Sequence, residues 1–466
     1  MDFVTLTFGL FLLIGVIVYY FIPKNKQWIW LLILGMFFYA QAGKKACVFL
    51  AASILTSYLY GIFHEKGKKI GLFTAICFNL ALLSFVKFKP SFVVVVGISF
   101  YTLQIIAYMV DVYKKEIMPE RNLFRYALFV TFFPQILQGP IPRWKQLSGQ
   151  LFEGHRFDYE TFCFGLWLMI WGYFQKLVIA DRCAIVVNTI FGNPGAYEGV
   201  YAILGGVLYS IQLYTDFNGC VCIATGVAQL FGITLTPNFK QPYFATGISD
   251  FWHRWHISLS SWLRDYIYIP LGGNRKGTLR KYINLLLTFL ISGIWHGGGL
   301  HFIVWGLMHG SYQVLGSVLM PVRNKLVKVF SINRDSFSHQ LYKRIVTFTL
   351  VMLAWVMFRA DSVMNGLRMM RSMLVFNPWV LVNGDLYTLG IGQMEFTLLM
   401  MSIVVLFVVS FLQDQFHKSG VSLRGVLAEQ SLIFRWGIIL LGIFTILLFG
   451  IYGPGYDASE FIYGQF

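Results

Sequence analysis

Charge is what this sequence has least of. Only 12% of its 466 residues are Asp, Glu, Lys or Arg, about half the share usual in soluble domains. Together with 57% hydrophobic residues, that scarcity excludes a string of soluble domains, and 45 Phe, 25 Tyr and 13 Trp exclude disorder and collagen-like repeats. None of the six cysteines (Cys47, Cys77, Cys163, Cys183, Cys220, Cys222) forms a CxxC pair, and all lie in apolar stretches. They read as buried thiols rather than a disulfide framework. Residues 1–21 lack a basic n-region and a small-residue cleavage site, so they read as a retained first span. There is no repeat period, low-complexity linker or polar stretch large enough for a separate soluble domain. One membrane domain, 1–466, is expected: N-terminal spans over 1–112, a motif-bearing core over 113–340, and C-terminal spans with a terminal FIYGQF motif over 341–466.

What is present is a series of apolar runs. A crossing helix needs about 20 mostly apolar residues, and runs of that kind fall near 3–22, 28–43, 46–63, 70–88, 92–112, 158–179, 199–217, 281–295, 300–320, 341–358, 393–412 and 432–452. An all-α polytopic membrane protein with roughly ten to twelve crossings follows. The stretch 123–139 is broken by Pro134 and Gly139 and reads as a re-entrant segment buried in protein. The net charge of +16 is distributed over short loops between apolar runs, which makes it a topology signal rather than a nucleic-acid stripe. Nine cations (Lys24, Lys26, Lys66, Lys68, Lys69, Lys114, Lys115, Arg121, Arg125) follow the first, third and fifth spans, against four (Lys44, Lys45, Lys87, Lys89) in the intervening loops. An N-terminus outside the cytoplasmic membrane is therefore expected.

The segment Ser249–Tyr268, SDFWHRWHISLSSWLRDYIY, divides on a helical wheel into two faces. Trp252, Trp255, Leu259, Trp262, Leu263 and Tyr266 form an apolar arc that includes His256; Asp250, Arg254, Ser258, Ser261, Arg264 and Asp265 form the polar one. A lone His on an apolar face is commonly a hydrogen-bonded core residue, but the next apolar segment, ISGIWHGGGLHFIVWGLMHG, adds His296, His301 and His309. Ionisable groups at that depth usually face a functional cavity. Gly297 and Gly298 remove bulk beside His296 and suit a narrow tunnel, whereas His301 and His309 read as structural. Metal binding lacks its partners: there is no HExxH, no cysteine pair and no acidic residue between Asp265 and Asp335. A Ser-His-Asp hydrolase lacks its GxSxG elbow.

At these residues the chain resembles the membrane-bound O-acyltransferase (MBOAT) family, in particular its bacterial branch of alginate and peptidoglycan O-acetylation and teichoic-acid D-alanylation membrane subunits. The resemblance runs over nearly the whole chain and is carried by Asn238–Arg275 (NFKQPYFATGISDFWHRWHISLSSWLRDYIYIPLGGNR), SGIWHG (292–297), FFPQILQGPIPR (132–143) and YTDFNG (214–219). It implies a shell of tilted helices around a tunnel joining a cytosolic acyl-thioester donor to an acceptor on the far side, with Trp252, Trp255, Trp295, Gly297 and Gly298 along it. It also implies His296 as the catalytic residue of the WHG motif and His256 as a second residue of the same site. Cys220-Val221-Cys222 departs from the pattern of near relatives and leaves the acceptor open. The C-terminal residues 460–466 resemble endings in which a tyrosine relays the acyl group, which makes Tyr463 a relay candidate or, alternatively, an interfacial anchor.

Acyl transfer from a thioester to a hydroxyl requires a base for the attacking oxygen and stabilisation of the oxyanion. The expected division has His296 as general base, with His256 orienting the acceptor or donating a hydrogen bond to the developing charge. No bound cofactor or metal is expected. Acetyl-CoA is the expected donor, with a carrier-protein phosphopantetheine thioester as the alternative, and Arg254, Arg264, Arg275, Lys276 and Arg280 are candidates for attracting either polyanion. An extracytoplasmic acyltransferase partner is implied. A transporter or flippase is the reading from another class, but the paired broken helices of internal repeats are missing.

Overall fold

The computed structural model describes residues 3–63, 69–88 and 95–453. Every run expected to be helical is helical where described, and no strand occurs among the described residues. The N-terminal part comprises α1 (Leu6–Phe21), α2 (Gln27–Ala40), α3 (Lys44–Phe63), α4 (Lys69–Phe88) and α5 (Ile98–Tyr113). The central part begins with α6 (Leu123–Thr131), α7 (Phe133–Ile136), α8 (Trp144–Glu153), α9 (Tyr159–Tyr173), a π-helical turn (Phe174–Ala180), α10 (Asp181–Gly192) and α11 (Val200–Leu230). It continues through α12 (Ile248–Arg254), α13 (Ile257–Leu263), α14 (Thr278–His296), α15 (Leu300–Val318) and α16 (Met320–Val329). The C-terminal part holds α17 (Phe337–Arg359), α18 (Val363–Ser372), α19 (Gln393–Lys418), α20 (Leu423–Ala428) and α21 (Leu432–Phe449).

Among the described residues, six helical stretches of at least 18 residues are apolar enough to cross a membrane: α3, α4, the continuous 159–192 segment, α17, residues 393–416 and α21. The helices α1 and α5 are shorter apolar ones. This is fewer than the ten to twelve crossings expected. Polar content is part of the reason, since α11 places Ser210, Gln212, Thr215, Asp216, Asn218 and Gln229 in the protein interior, and α2 is only 14 residues long. The two environments are distinct along the chain. In α5 almost every side chain is buried, whereas in α21 none is, and Ile433 and Leu448 are exposed. An apolar helix with most of its surface uncovered belongs in lipid, because its backbone is satisfied internally and its side chains need no water. The chain is a multi-pass membrane protein.

Local chemistry explains the joints. Asn122 caps α6 by accepting from the amides of Phe124 (2.9 Å) and Arg125 (3.3 Å), and Asp158 caps α9 by accepting from Thr161 at 2.8 Å, as orphan amides at helix starts require. The helix that Leu123 begins stops at Phe132, and this broken segment is buried: Phe132 and Phe133 are fully enclosed. Small residues let α9 and α11 touch backbone to backbone. A Cβ on Gly226 would meet the Gly165 carbonyl oxygen at 2.5 Å, and one on Gly172 would meet that of Gly219 at 2.6 Å, the close approach that drives association in lipid. Where the π-helical turn follows α9, Lys176 turns inward and its ammonium meets Asp216 at 2.7 Å and Asp181 at 2.8 Å. Charges at that depth persist because they are paired.

Candidate active site

The segment Ser249–Tyr268 is not the continuous helix that the wheel assumes. It breaks between α12 and α13, where Trp255 is extended and His256 takes a left-handed backbone (φ 44°, ψ 54°), and beyond Leu263 it widens into a π-helical turn (Arg264–Tyr268). The cause lies 18 residues upstream. Asn238 and Lys240 form two backbone hydrogen bonds with the break, Ile257 N to Asn238 O (2.9 Å) and Lys240 N to Arg254 O (2.9 Å). The Ile257 amide thus turns to Asn238 instead of continuing the helix of α12. Ser258, placed on the polar arc by the wheel, is buried as a result.

His256 and His296 converge. His296 is the last residue of α14 and is 3% exposed; His256 is 1% exposed. The Trp295 indole touches both, at ring-centroid distances of 4.8 Å to His296 and 6.4 Å to His256. Trp305 (5.0 Å) and Phe358 (5.3 Å) stand edge-on to His296. The His256 ring has Phe217 edge-on at 4.8 Å and Phe100 stacked at 6.2 Å. Rings held so tightly among aromatic neighbours cannot turn freely.

Two residues that sequence reasoning passed over complete the neighbourhood. Asn238 is 1% exposed, and its Oδ1 accepts from the Ser258 amide (3.0 Å) and hydroxyl (2.9 Å) and lies 3.2 Å from Nδ1 of His256. Lys87, counted from sequence as a loop charge, donates to the backbone carbonyl of Trp295 and lies over the Trp295 ring at 5.3 Å. Its only sequence signal is a cation inside the last turn of an apolar run.

The remaining expected residues are distributed as follows. His309 is fully buried and accepts from the Trp252 indole at 3.3 Å through Nδ1, and Trp305 and Trp355 also contact its ring. It is a packing residue, and His301 is half-buried against Phe302. Trp255 is enclosed by Phe239, Phe251 and Trp355, which places it in the aromatic core behind the histidines. Gly297 and Gly298 are required by neighbouring rings: a Cβ would meet Phe302 at 2.3 Å and Phe88 at 2.8 Å respectively.

Arg254 is engaged structurally, half-buried and paired with Asp250 at 2.8 Å and Asp414 at 3.1 Å. Desolvation opposes its charge, but the hydrogen bonds it donates to these carboxylates, with their negative charge, outweigh that cost and raise its pKa. Arg264 is 63% exposed and pairs with its neighbour Asp265; Arg275, Lys276 and Arg280 are exposed as well. Cys220 and Cys222 are buried in α11. Tyr463 lies outside the described residues. Among the described residues, no three His, Cys, Asp or Glu side chains converge as a metal site would need. Two buried imidazoles sharing one indole can instead exchange protons with a substrate and, between them, supply both an acceptor and a donor.

Known proteins resemble this chain over its central part. The profile of "MBOAT, membrane-bound O-acyltransferase family" matches residues 110–360, which include both histidines, Asn238 and the α11 polar stretch. The chain is similar to the probable alginate O-acetylase AlgI of Pseudomonas fluorescens, with 40% identity over 61% of this chain and 55% of the relative. It is similar to the peptidoglycan O-acetyltransferase of Helicobacter pylori, with 34% identity over 79% of this chain and 78% of the relative. It is also similar to the teichoic acid D-alanyltransferase of Bacillus subtilis, with 32% identity over 46% of this chain and 56% of the relative. The matched part spans about half the length of the alginate relatives.

Proposed function

Because the chain belongs to the membrane-bound O-acyltransferase family, we propose that it transfers an acyl group, acetyl above all, from a thioester donor at the cytoplasmic membrane to a hydroxyl of a cell-envelope or secreted polysaccharide. The observation that carries this reading is the meeting of His256 and His296 at Trp295, two histidines 40 residues apart in sequence and both shut away from bulk solvent. Exclusion of water favours transfer to a hydroxyl over hydrolysis of the thioester. One imidazole takes the proton of the attacking hydroxyl while the other steadies the charge that develops on the thioester oxygen.

Acetyl-CoA is the proposed donor, in keeping with what the alginate and peptidoglycan relatives are named for; a D-alanyl carrier-protein thioester is the alternative that the teichoic-acid relative suggests. The exposed cations Arg264, Arg275 and Lys276 would attract either polyanionic donor. The reading further includes a tunnel past Trp295, an N-terminus outside, an extracytoplasmic acyltransferase partner, and Tyr463 as an acyl relay. One experiment addresses donor, reaction and relay together: purified protein in lipid is incubated with radiolabelled acetyl-CoA and the label is mapped. Label on Tyr463 or on an added saccharide, lost in His296→Ala, is the expected result. Protein inert toward acetyl-CoA but active with a D-alanyl carrier protein selects the alternative donor, and inertness toward both overturns the reading.

A further inference from the structure

Sequence leaves two roles for His256, orienting the acceptor or donating to the developing charge, and the hydrogen bonds of Asn238 point to a third. The Ser258 backbone amide lies 3.0 Å from the Asn238 side-chain atom that also faces His256. A peptide N–H can only donate, so that atom is the amide oxygen, and the alternative flipped amide is excluded. An amide oxygen can only accept, so Nδ1 of His256, 3.2 Å away, carries the hydrogen. A neutral imidazole has one N–H; its lone pair is then on Nε2.

The surroundings hold this arrangement in place. The backbone of His256 is left-handed, a conformation costly for a non-glycine residue and found where the neighbouring structure enforces it. Two backbone hydrogen bonds to Asn238 and Lys240 provide that enforcement, while Phe217, Phe100 and Trp295 fix the ring plane. An imidazole oriented by a buried hydrogen-bond partner on one nitrogen is the arrangement that a general base requires on the other.

We infer that Asn238 is a positioning residue that locks His256 in its Nδ1–H tautomer and so makes Nε2 of His256 the proton acceptor in acyl transfer. The inference rests on the acyl-transfer reading and reverses the roles expected of the two histidines. The acceptor O–H bond breaks, its proton passes to Nε2 of His256, and the oxygen bonds to the thioester carbon. The carbonyl π pair moves onto the carbonyl oxygen, which the N–H of neutral His296 can then serve. Return of that pair breaks the C–S bond, and the departing thiolate takes the proton back from His256.

The test uses the full chain in liposomes, with acetyl-CoA consumption followed against pH. In Asn238→Asp an oxygen still receives the Ser258 amide and the His256 Nδ1–H, but the added negative charge favours the imidazolium. A base works only when neutral, so the acid limb of the rate profile should move to higher pH by about one unit or more. If Asn238 merely caps α13, the limb keeps the wild-type midpoint, and the inference is overturned. A second measurement needs no turnover: in histidine-15N-labelled protein in lipid, the resonances missing from His256→Gln should show a neutral ring protonated at Nδ1. An Nε2-protonated pattern overturns the inference. A wild type that moves no acetyl group overturns the acyl-transfer reading and the proton-acceptor role with it, while the nitrogen spectrum still decides the tautomer.

Discussion

Lys87 donates a hydrogen bond to the backbone carbonyl of Trp295, the residue immediately before His296. The last carbonyls of a helix lack partners within it, and a cation there is favoured by the helix dipole. The last turn of α4 therefore supports the last turn of α14 at the point where the histidine emerges. Lys87→Met should fold normally yet lower kcat more than KM for acetyl-CoA, and Lys87→Arg should recover part of the loss. Equal fold stability with unchanged kcat would show that this contact does not position His296.

Removing either imidazole should abolish most transfer without unfolding the protein. Loss of a positioned acid or base costs about 10²- to 10⁴-fold in rate. His256→Gln and His296→Gln should each show that deficit in acetyl transfer, with unchanged elution on size exclusion in detergent. His309→Gln, in contrast, should act through packing: its thermal midpoint should fall, and activity should fall only in proportion to the folded fraction.

The seam between α14 and α15 has no room for a side chain. A Cβ on Gly306 would meet the Phe289 carbonyl oxygen at 2.3 Å, and one on Gly293 would meet that of Phe302 at 2.4 Å. Gly306→Ala should destabilise the protein by about 1–3 kcal/mol through overpacking, read as a lower melting temperature in detergent. Because α14 carries His296, activity at permissive temperature should fall as well.

The ion cluster of Lys176, Asp181 and Asp216 should behave asymmetrically. Lys176→Met leaves two carboxylates buried without their cation and should cost about 3–5 kcal/mol. The triple replacement Lys176→Met, Asp181→Asn, Asp216→Asn should be less damaging than Lys176→Met alone. Thermal unfolding of the two variants side by side gives the order.

If exposed cations recruit the donor, the effect should be electrostatic. Arg264→Ala should weaken acetyl-CoA affinity at low ionic strength, and the difference from wild type should close as salt is raised and the Debye length shrinks. An identical affinity at low salt would assign Arg264 to retention of the loop on one side of the membrane.

The helical architecture was readable in the sequence because lipid imposes it: an apolar run that crosses a bilayer must satisfy its own backbone, and each such run is a helix here. The WHG and RWH histidines were readable too, as ionisable groups inside apolar stretches. The break at Trp255–His256 was not, because periodicity registers only neighbours within a few turns, whereas the competing partner, Asn238, is 18 residues away. Lys87 escaped for a related reason. In sequence it is one cation at the end of a hydrophobic run, and only the fold brings it to Trp295, 208 positions later.

The left-handed backbone at residue 256 also sets how this position tolerates change. The backbone there would be served best by glycine, which adopts that geometry without steric cost, while chemistry demands an imidazole. Stability and activity are thus ranked in opposite orders by the same site. In a saturation library, survival of folded protein at position 256 should favour Gly and Asn, and enzymatic selection should return only His.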